Sequence, residues 1–264
     1  MHTKMNVIDL AIESRDAATA ERAFREIEVE LQSRTSPLER ANILLKKAVL
    51  YGVLRRFDEA RTELGTALAE APDDPGIRLQ FDFIGASLHD EEGSPQKAYE
   101  QLSIILSAHR DELNQEAYRF IYEDIQKRRA FDLARLRQWR DAVPLFEECL
   151  SFKLTSSERS DLHANLGLCY LEMREYQAAK DHFLQASSAG LSAAWTTNIH
   201  FYLGIAYAYL DEFQASMQEF KICEEHPINL DVPATKVYRW LSYVYKRIGN
   251  AAQAERYASL AKAV

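Results

Sequence analysis

Residues 163–187 read HANLGLCYLEMREYQAAKDHFLQAS, and residues 200–224 read HFYLGIAYAYLDEFQASMQEFKICE. Laid over one another at an offset of 37 residues, they superpose Leu166-Gly167 on Leu203-Gly204, Tyr170 on Tyr207, Tyr176 on Phe213, Phe183 on Phe220 and Ala186 on Cys223. The same frame continues into Tyr238, Leu241-Ser242, Tyr245, Ala254, Ala258 and Ala261, with Gly249-Asn250 at the turn. Toward the N-terminus the small residue of the second half recurs at Ala142, Ala98, Ala60 and Ala20. Phe146, Leu102, Leu64 and Phe24 follow it by four positions, and Cys149, Ile105, Ala67 and Ile27 by seven. From Ala20 the steps between small residues are 40, 38, 44, 37, 37 and 38, so the chain is a repeat array.

Each unit carries two apolar stripes at i, i+3, i+4, i+7 spacing, split by a short polar turn such as Arg55-Arg56-Phe57-Asp58 or Arg174-Glu175-Tyr176. That pattern describes an antiparallel helix hairpin. Ser36-Pro37-Leu38-Glu39 and Thr155-Ser156-Ser157-Glu158 have the form of capping boxes, and Asp74-Pro75 and Ser94-Pro95 put proline at the first helical position. The spacing predicts helices near 5–14, 17–33, 37–55, 57–70, 75–90, 94–108, 111–137, 139–153, 156–173, 176–189, 192–210, 213–225, 232–248 and 251–263, making seven pairs. Only 9 Gly and 7 Pro in 264 residues agree with an all-α fold rather than a turn-rich β architecture.

Composition narrows the chemistry. A formal charge of −8 works against bulk attraction to nucleic acid or an anionic membrane. Cys149, Cys169 and Cys223 lack CxxC spacing and sit among apolar residues, so they read as core fillers rather than disulfide or zinc ligands. With no apolar run of membrane-spanning length and an acid-bearing N-terminal stretch, the expected address is cytoplasmic. The motifs GxxxxGK[ST], GxGxxG, HExxH and GxSxG are absent, as is any EF-hand loop, so the expectation is a non-enzyme with no cofactor, metal or catalytic residue. His163 and His200, 37 residues apart, are read as one packing slot used twice. The basic run from Lys127 to Arg140, interleaved with Phe131, Leu133, Leu136 and Trp139, reads first as an amphipathic helix with paired arginines and second as an anion- or nucleic-acid-binding face.

The pattern resembles the tetratricopeptide repeat, W-x2-L-G-x2-Y…A-x3-F…A…P, with the closest match over residues 160–227. His163, His200 and Tyr238 stand at its aromatic first position, and Pro72 and Pro227 at its closing proline. Gly167 and Gly204 take the close-approach position, facing the small residues Ala179 and Ser216. The resemblance implies a right-handed superhelical solenoid of about seven hairpins. It would form a single domain over 1–264, with divergent hairpins in 1–110, a long-helix hairpin in 111–153 and the most regular repeats in 156–264.

The family's concave groove is lined by fixed positions of each first helix. Here these are Leu168 in one repeat, Asn198, Phe201, Ile205 and Tyr209 in the next, and Lys236, Arg239, Tyr243, Lys246 and Arg247 in the last. The function this implies is a scaffold or adaptor that binds a protein or peptide with an apolar anchor and an acidic or carboxylate end. A peptide-responsive bacterial regulatory sensor is the alternative, and a homo-oligomer stays open.

Overall fold

In the computed structural model the described residues are 17–34, 36–189, 196–225 and 233–262, and they contain helices and turns but no strand. The chain divides into two compact units, 1–136 and 137–264. Unit 1 contains α1 (Ala17–Ser33), α2 (Pro37–Val53), α3 (Phe57–Glu70), α4 (Pro75–Glu91), α5 (Pro95–Ala108), the single turn α6 (Arg110–Leu113), a 3₁₀ turn at Glu116–Tyr118, and α7 (Arg119–Arg135). Unit 2 contains α8 (Trp139–Cys149), α9 (Ser156–Glu172), α10 (Tyr176–Ala189), α11 (Thr196–Tyr209), α12 (Phe213–Glu225), α13 (Ala234–Arg247) and α14 (Ala251–Leu260). The helix expected over 5–14 lies outside the described residues, as do 192–195 of the helix expected over 192–210.

Helices pair as the repeat predicts: α2 with α3 and α4 with α5 in unit 1, then α9 with α10, α11 with α12 and α13 with α14 in unit 2. The expected small positions are all buried, from Ala20 through Ala60, Ala98, Ala142, Ala179 and Ser216 to Ala254. The rings of Phe146, Phe183 and Phe220, four residues further on, are fully buried. Six interhelix turns each contain one residue at positive φ: Arg55, Gly93, Arg137, Arg174, Asp211 and Gly249, with φ between 59° and 80°. Each stands five residues before the small position, so the backbone repeats with the period read from the side chains. At Arg174 the next amide, Glu175 N–H, donates to Tyr170 O (2.8 Å) and Arg174 N–H to Leu171 O (3.0 Å). These paired bonds close the last turn of α9 as a Schellman motif.

Three local expectations are corrected. The continuous helix over 111–137 is broken at Gln115, which is extended at φ −81°, ψ 141°. On a straight helix Leu113 would point roughly 80–140° away from Tyr118, Ile121 and Ile125. The break lets all four pack into one cluster with Leu79 and Leu102. The helix expected over 139–153 ends at Cys149, and the turn beyond it buries Phe152. The box at Ser36 does not close, because Glu39 reaches Arg34 Nη1 at 3.3 Å instead. The box at Thr155 does close: its hydroxyl accepts from Glu158 N–H (3.2 Å), and the Glu158 carboxylate accepts from Thr155 N–H (2.9 Å).

The close approach at the repeat glycines is made by rings. A Cβ at Gly167 would lie 2.6 Å from Phe183, and one at Gly204 2.9 Å from Phe220. Of the small residues expected to face these glycines, Ser216 does so through a hydrogen bond. Ser216 Oγ donates to Gly204 O at 2.7 Å, and Ala179 fills the core beside Phe183.

Candidate binding site

Unit 2 presents an open concavity of about 500 Å³ lined by Tyr209 of α11 and by Lys236, Arg239, Trp240 and Tyr243 of α13. The α13 residues are placed by helix periodicity. Val237, Leu241, Val244 and Tyr245 turn one face of the helix into a core shared with Phe220 and Tyr257. Lys236, Arg239 and Tyr243 are left on the other face, exposed. The aromatic side chains form a linked array. Tyr209 stacks on Tyr176 (centroids 4.2 Å, planes 6° apart) and meets Trp240 edge-on at 5.7 Å. Trp240 stacks on buried Phe220 at 5.9 Å and meets Tyr243 edge-on at 5.7 Å. Tyr209 is nonetheless 52% exposed, so a ring fixed by its neighbours still offers much of its surface to solvent. Among the described residues no carboxylate pairs with Lys236 or Arg239.

Of the residues singled out from the sequence, Tyr209, Lys236, Arg239 and Tyr243 come together here. Ile205 and Leu168 are partly buried and pack on the cores of their own hairpins. Lys246 is exposed outside the lining. Two expectations are corrected. Asn198 and Phe201 are buried, at 5% and 4% exposure, and Phe201 packs edge-on against Phe220 at 5.8 Å, which makes it core rather than groove surface. Arg247 is held: its guanidinium meets Asp211 Oδ1 at 3.0 Å, donates to the Tyr243 hydroxyl at 2.8 Å and lies 4.5 Å over the Phe213 ring. Trp240, central to the concavity, is not among the groove positions taken from the family. Its sequence signal is its place one residue before the buried Leu241, at the edge of the apolar face.

The other chemistry-bearing residues are placed structurally. His163 Nδ1 lies 3.1 Å from His182 Nδ1, and His200 Nδ1 lies 2.6 Å from Glu219 Oε2. Both partners stand 19 residues after their histidine, so the two histidines do share one slot. Burial pushes His163 and His182 below the ordinary histidine value, and the proximity of His182 adds to the effect on His163. Cys149, Cys169 and Cys223 are buried, and desolvation pushes the thiols of Cys169 and Cys223 up to about 12.

In the basic run, Arg128 meets Asp124 at 2.9 Å and Arg135 pairs with Asp90. Arg129 donates to Gln126 Oε1 at 2.7 Å and lies 5.2 Å over the Tyr99 ring. These three arginines therefore take the first of the two roles expected for this stretch. Among the described residues no group of three or more His, Cys, Asp or Glu is placed to hold a metal ion, and no helix is long and apolar enough to cross a membrane.

No family model and no curated protein matches the chain. Solved structures do. PilF of Pseudomonas aeruginosa is similar over 86% of this chain and 93% of its own, with a TM-score of 0.61 and 16% identity. MamA (AMB-1) is similar over 70% of this chain and 98% of its own, with a TM-score of 0.55 and 20% identity. A chain of an APC/C hetero-tetramer is similar over 96% of this chain and 44% of its own, with a TM-score of 0.59 and 15% identity. These are tetratricopeptide-repeat proteins. The chain thus has the tetratricopeptide-repeat-like fold, an all-α array of helix hairpins.

Proposed function

We propose that the protein is a non-enzymatic binding scaffold, and that the concavity of Tyr209, Lys236, Arg239, Trp240 and Tyr243 takes a peptide segment of a partner protein. The observation that carries this reading is an exposed aromatic array beside two cations that no described carboxylate neutralises. Aromatic and Arg side chains at a recessed surface are the residue types that dominate binding energy at interfaces. A ring held by its neighbours loses little side-chain entropy when it is covered. An apolar or aromatic side chain of the partner would lie against Tyr209, Trp240 and Tyr243, and an adjacent acidic residue or terminal carboxylate would reach Lys236 and Arg239. Charge-assisted hydrogen bonds to a carboxylate are the stronger class, which favours this polarity.

The test uses two synthetic peptides that share one Leu/Phe core, one ending in Asp-Glu with a free carboxylate and the other in Lys-Lys amide. Binding of the acidic peptide is expected to weaken about tenfold or more in Lys236→Glu/Arg239→Glu and to lose much of its salt dependence, because exposed charges steer and hold the ligand through a screened field. Tyr209→Ala is expected to weaken the same peptide without changing the salt slope. Equal affinity for the two peptides, or parental affinity in both variants at unchanged stability, would refute the assignment.

A further inference from the structure

The three aromatic residues of the unit 2 concavity are fixed in different ways. Tyr209 stacks on Tyr176, and Trp240 stacks on buried Phe220. Tyr243 has no stacked ring among the described residues; it meets Trp240 and Phe213 edge-on, at 5.7 and 6.5 Å, and is 39% exposed. Its anchor is the hydroxyl, which accepts from Arg247 Nη1 at 2.8 Å.

Arg247 closes α13 and is itself fixed from the preceding hairpin. Its Nη2 donates to Asp211 Oδ1 at 3.0 Å, and its guanidinium lies 4.5 Å over the Phe213 ring. Asp211 stands in the turn between α11 and α12 at φ 60°, and Glu212 N–H closes that turn by donating to Tyr207 O at 2.9 Å. Tyr209 ends α11 two residues before Asp211. One short turn therefore carries Tyr209 directly and holds Tyr243 through Arg247. The Asp211 and Arg247 side chains are 70% and 45% exposed, and ion pairs so open to solvent add little to stability. What this pair does is geometric: it ties the ring of one hairpin to the turn of the one before it.

We propose that Arg247 is a positioning residue for binding at this concavity: by bridging Asp211 and the Tyr243 hydroxyl, it holds the Tyr243 ring beside Trp240 without touching the ligand. This role rests on the reading of the concavity as the site of an acidic peptide with an apolar anchor. A ring already held in place loses less freedom when it is covered, so the bridge acts on affinity and leaves the charge of the site alone.

The probe is the acidic Leu/Phe peptide, titrated by calorimetry at two ionic strengths. Asp211→Asn/Arg247→Met removes the bridge at unchanged net charge, and asparagine is one of the few residues that accept the backbone conformation of Asp211. Affinity is expected to fall about three- to tenfold with an unchanged salt slope. Tyr243→Phe, which deletes only the acceptor, is expected to give a similar loss. All three substitutions together are expected to cost no more than either variant, because they remove one interaction. Arg247→Lys keeps a cationic donor for both oxygens and is expected to recover most of the affinity. Lys180→Met/Glu212→Gln removes an ion pair at the same turn that does not line the concavity, and is expected to leave affinity unchanged. The role is refuted if the bridge variant or Tyr243→Phe binds like the parent, or if their losses add. It is equally refuted if Arg247→Lys binds no better than the bridge variant, or if the Lys180/Glu212 variant loses as much. Binding that depends on Lys236 and Arg239 but not on Arg247 refutes the positioning role alone, whereas a parent with no preference for the acidic peptide refutes the reading of the concavity and this role with it.

Discussion

Asp132 is the residue whose environment contradicts its chemistry. It is buried on α7, its Oδ2 meets no hydrogen-bond partner, and desolvation together with the nearby charge of Asp90 pushes its carboxyl up to about 7. A raised carboxyl favours the protonated form in the folded state. Its contribution is therefore fully present below the unfolded value near 4 and is lost as pH rises toward 7. Asp132→Asn, which keeps the shape without the charge, is expected to raise stability at pH 8 by about 1–3 kcal/mol and to give no gain at pH 4, as read by urea unfolding at both values. The His163–His182 pair has the opposite sign, since both rings are pushed down by burial. Their contribution is present above about 6.5 and is lost as pH falls below it. His182→Glu, which copies the Glu219 partner of His200, is expected to remove that acid-side loss between pH 6.5 and 5. An unchanged pH profile would show that this pair does not set it.

Individual helices are limited by how closely they approach and how their turns close. Because a Cβ at Gly204 would meet the Phe220 ring at 2.9 Å, Gly204→Ala is expected to lose about 1–3 kcal/mol through overpacking despite the better helix propensity of alanine. Combining it with Phe220→Leu should make the two changes less than additive, because the smaller side chain relieves the clash. The hairpin turn behaves in reverse. Arg174 is exposed and holds φ +64°, a conformation that disfavours a residue bearing a Cβ. Arg174→Gly is expected to raise stability by up to about 1 kcal/mol, measured by thermal unfolding of the full chain. Gly93 and Gly249 announce their turns in the sequence, whereas Arg55, Arg137, Arg174 and Asp211 take the same conformation without announcing it. At Arg55, Arg174 and Asp211 paired Schellman bonds hold it, through Arg56 N–H to Tyr51 O, Glu175 N–H to Tyr170 O and Glu212 N–H to Tyr207 O.

At the scale of the whole molecule, the single domain expected over 1–264 has a direct test in calorimetry. One transition whose calorimetric and van't Hoff enthalpies agree supports it, and separate transitions for the two compact units refute it. The hairpins, their period and their buried small and aromatic positions were legible in the sequence. They are local matters: a 3.6-residue apolar period and a recurring Ala–Phe spacing act within one or two helices and repeat. The break at Gln115 was not legible, because it answers to where Leu113, Tyr118, Ile121 and Ile125 can reach one core. The candidate site divides along the same line. The resemblance to the repeat family named Lys236, Arg239 and Tyr243 as groove positions of α13, but whether a first-helix residue at such a position is open or covered depends on the neighbouring hairpin. Phe220 and α13 cover Phe201, while Tyr209 stays exposed beside Trp240. Arg247 was lost to Asp211 and Phe213 for the same reason. Local periodicity determined which residues share a helix face; packing between helices far apart in sequence decided which of those faces meet solvent.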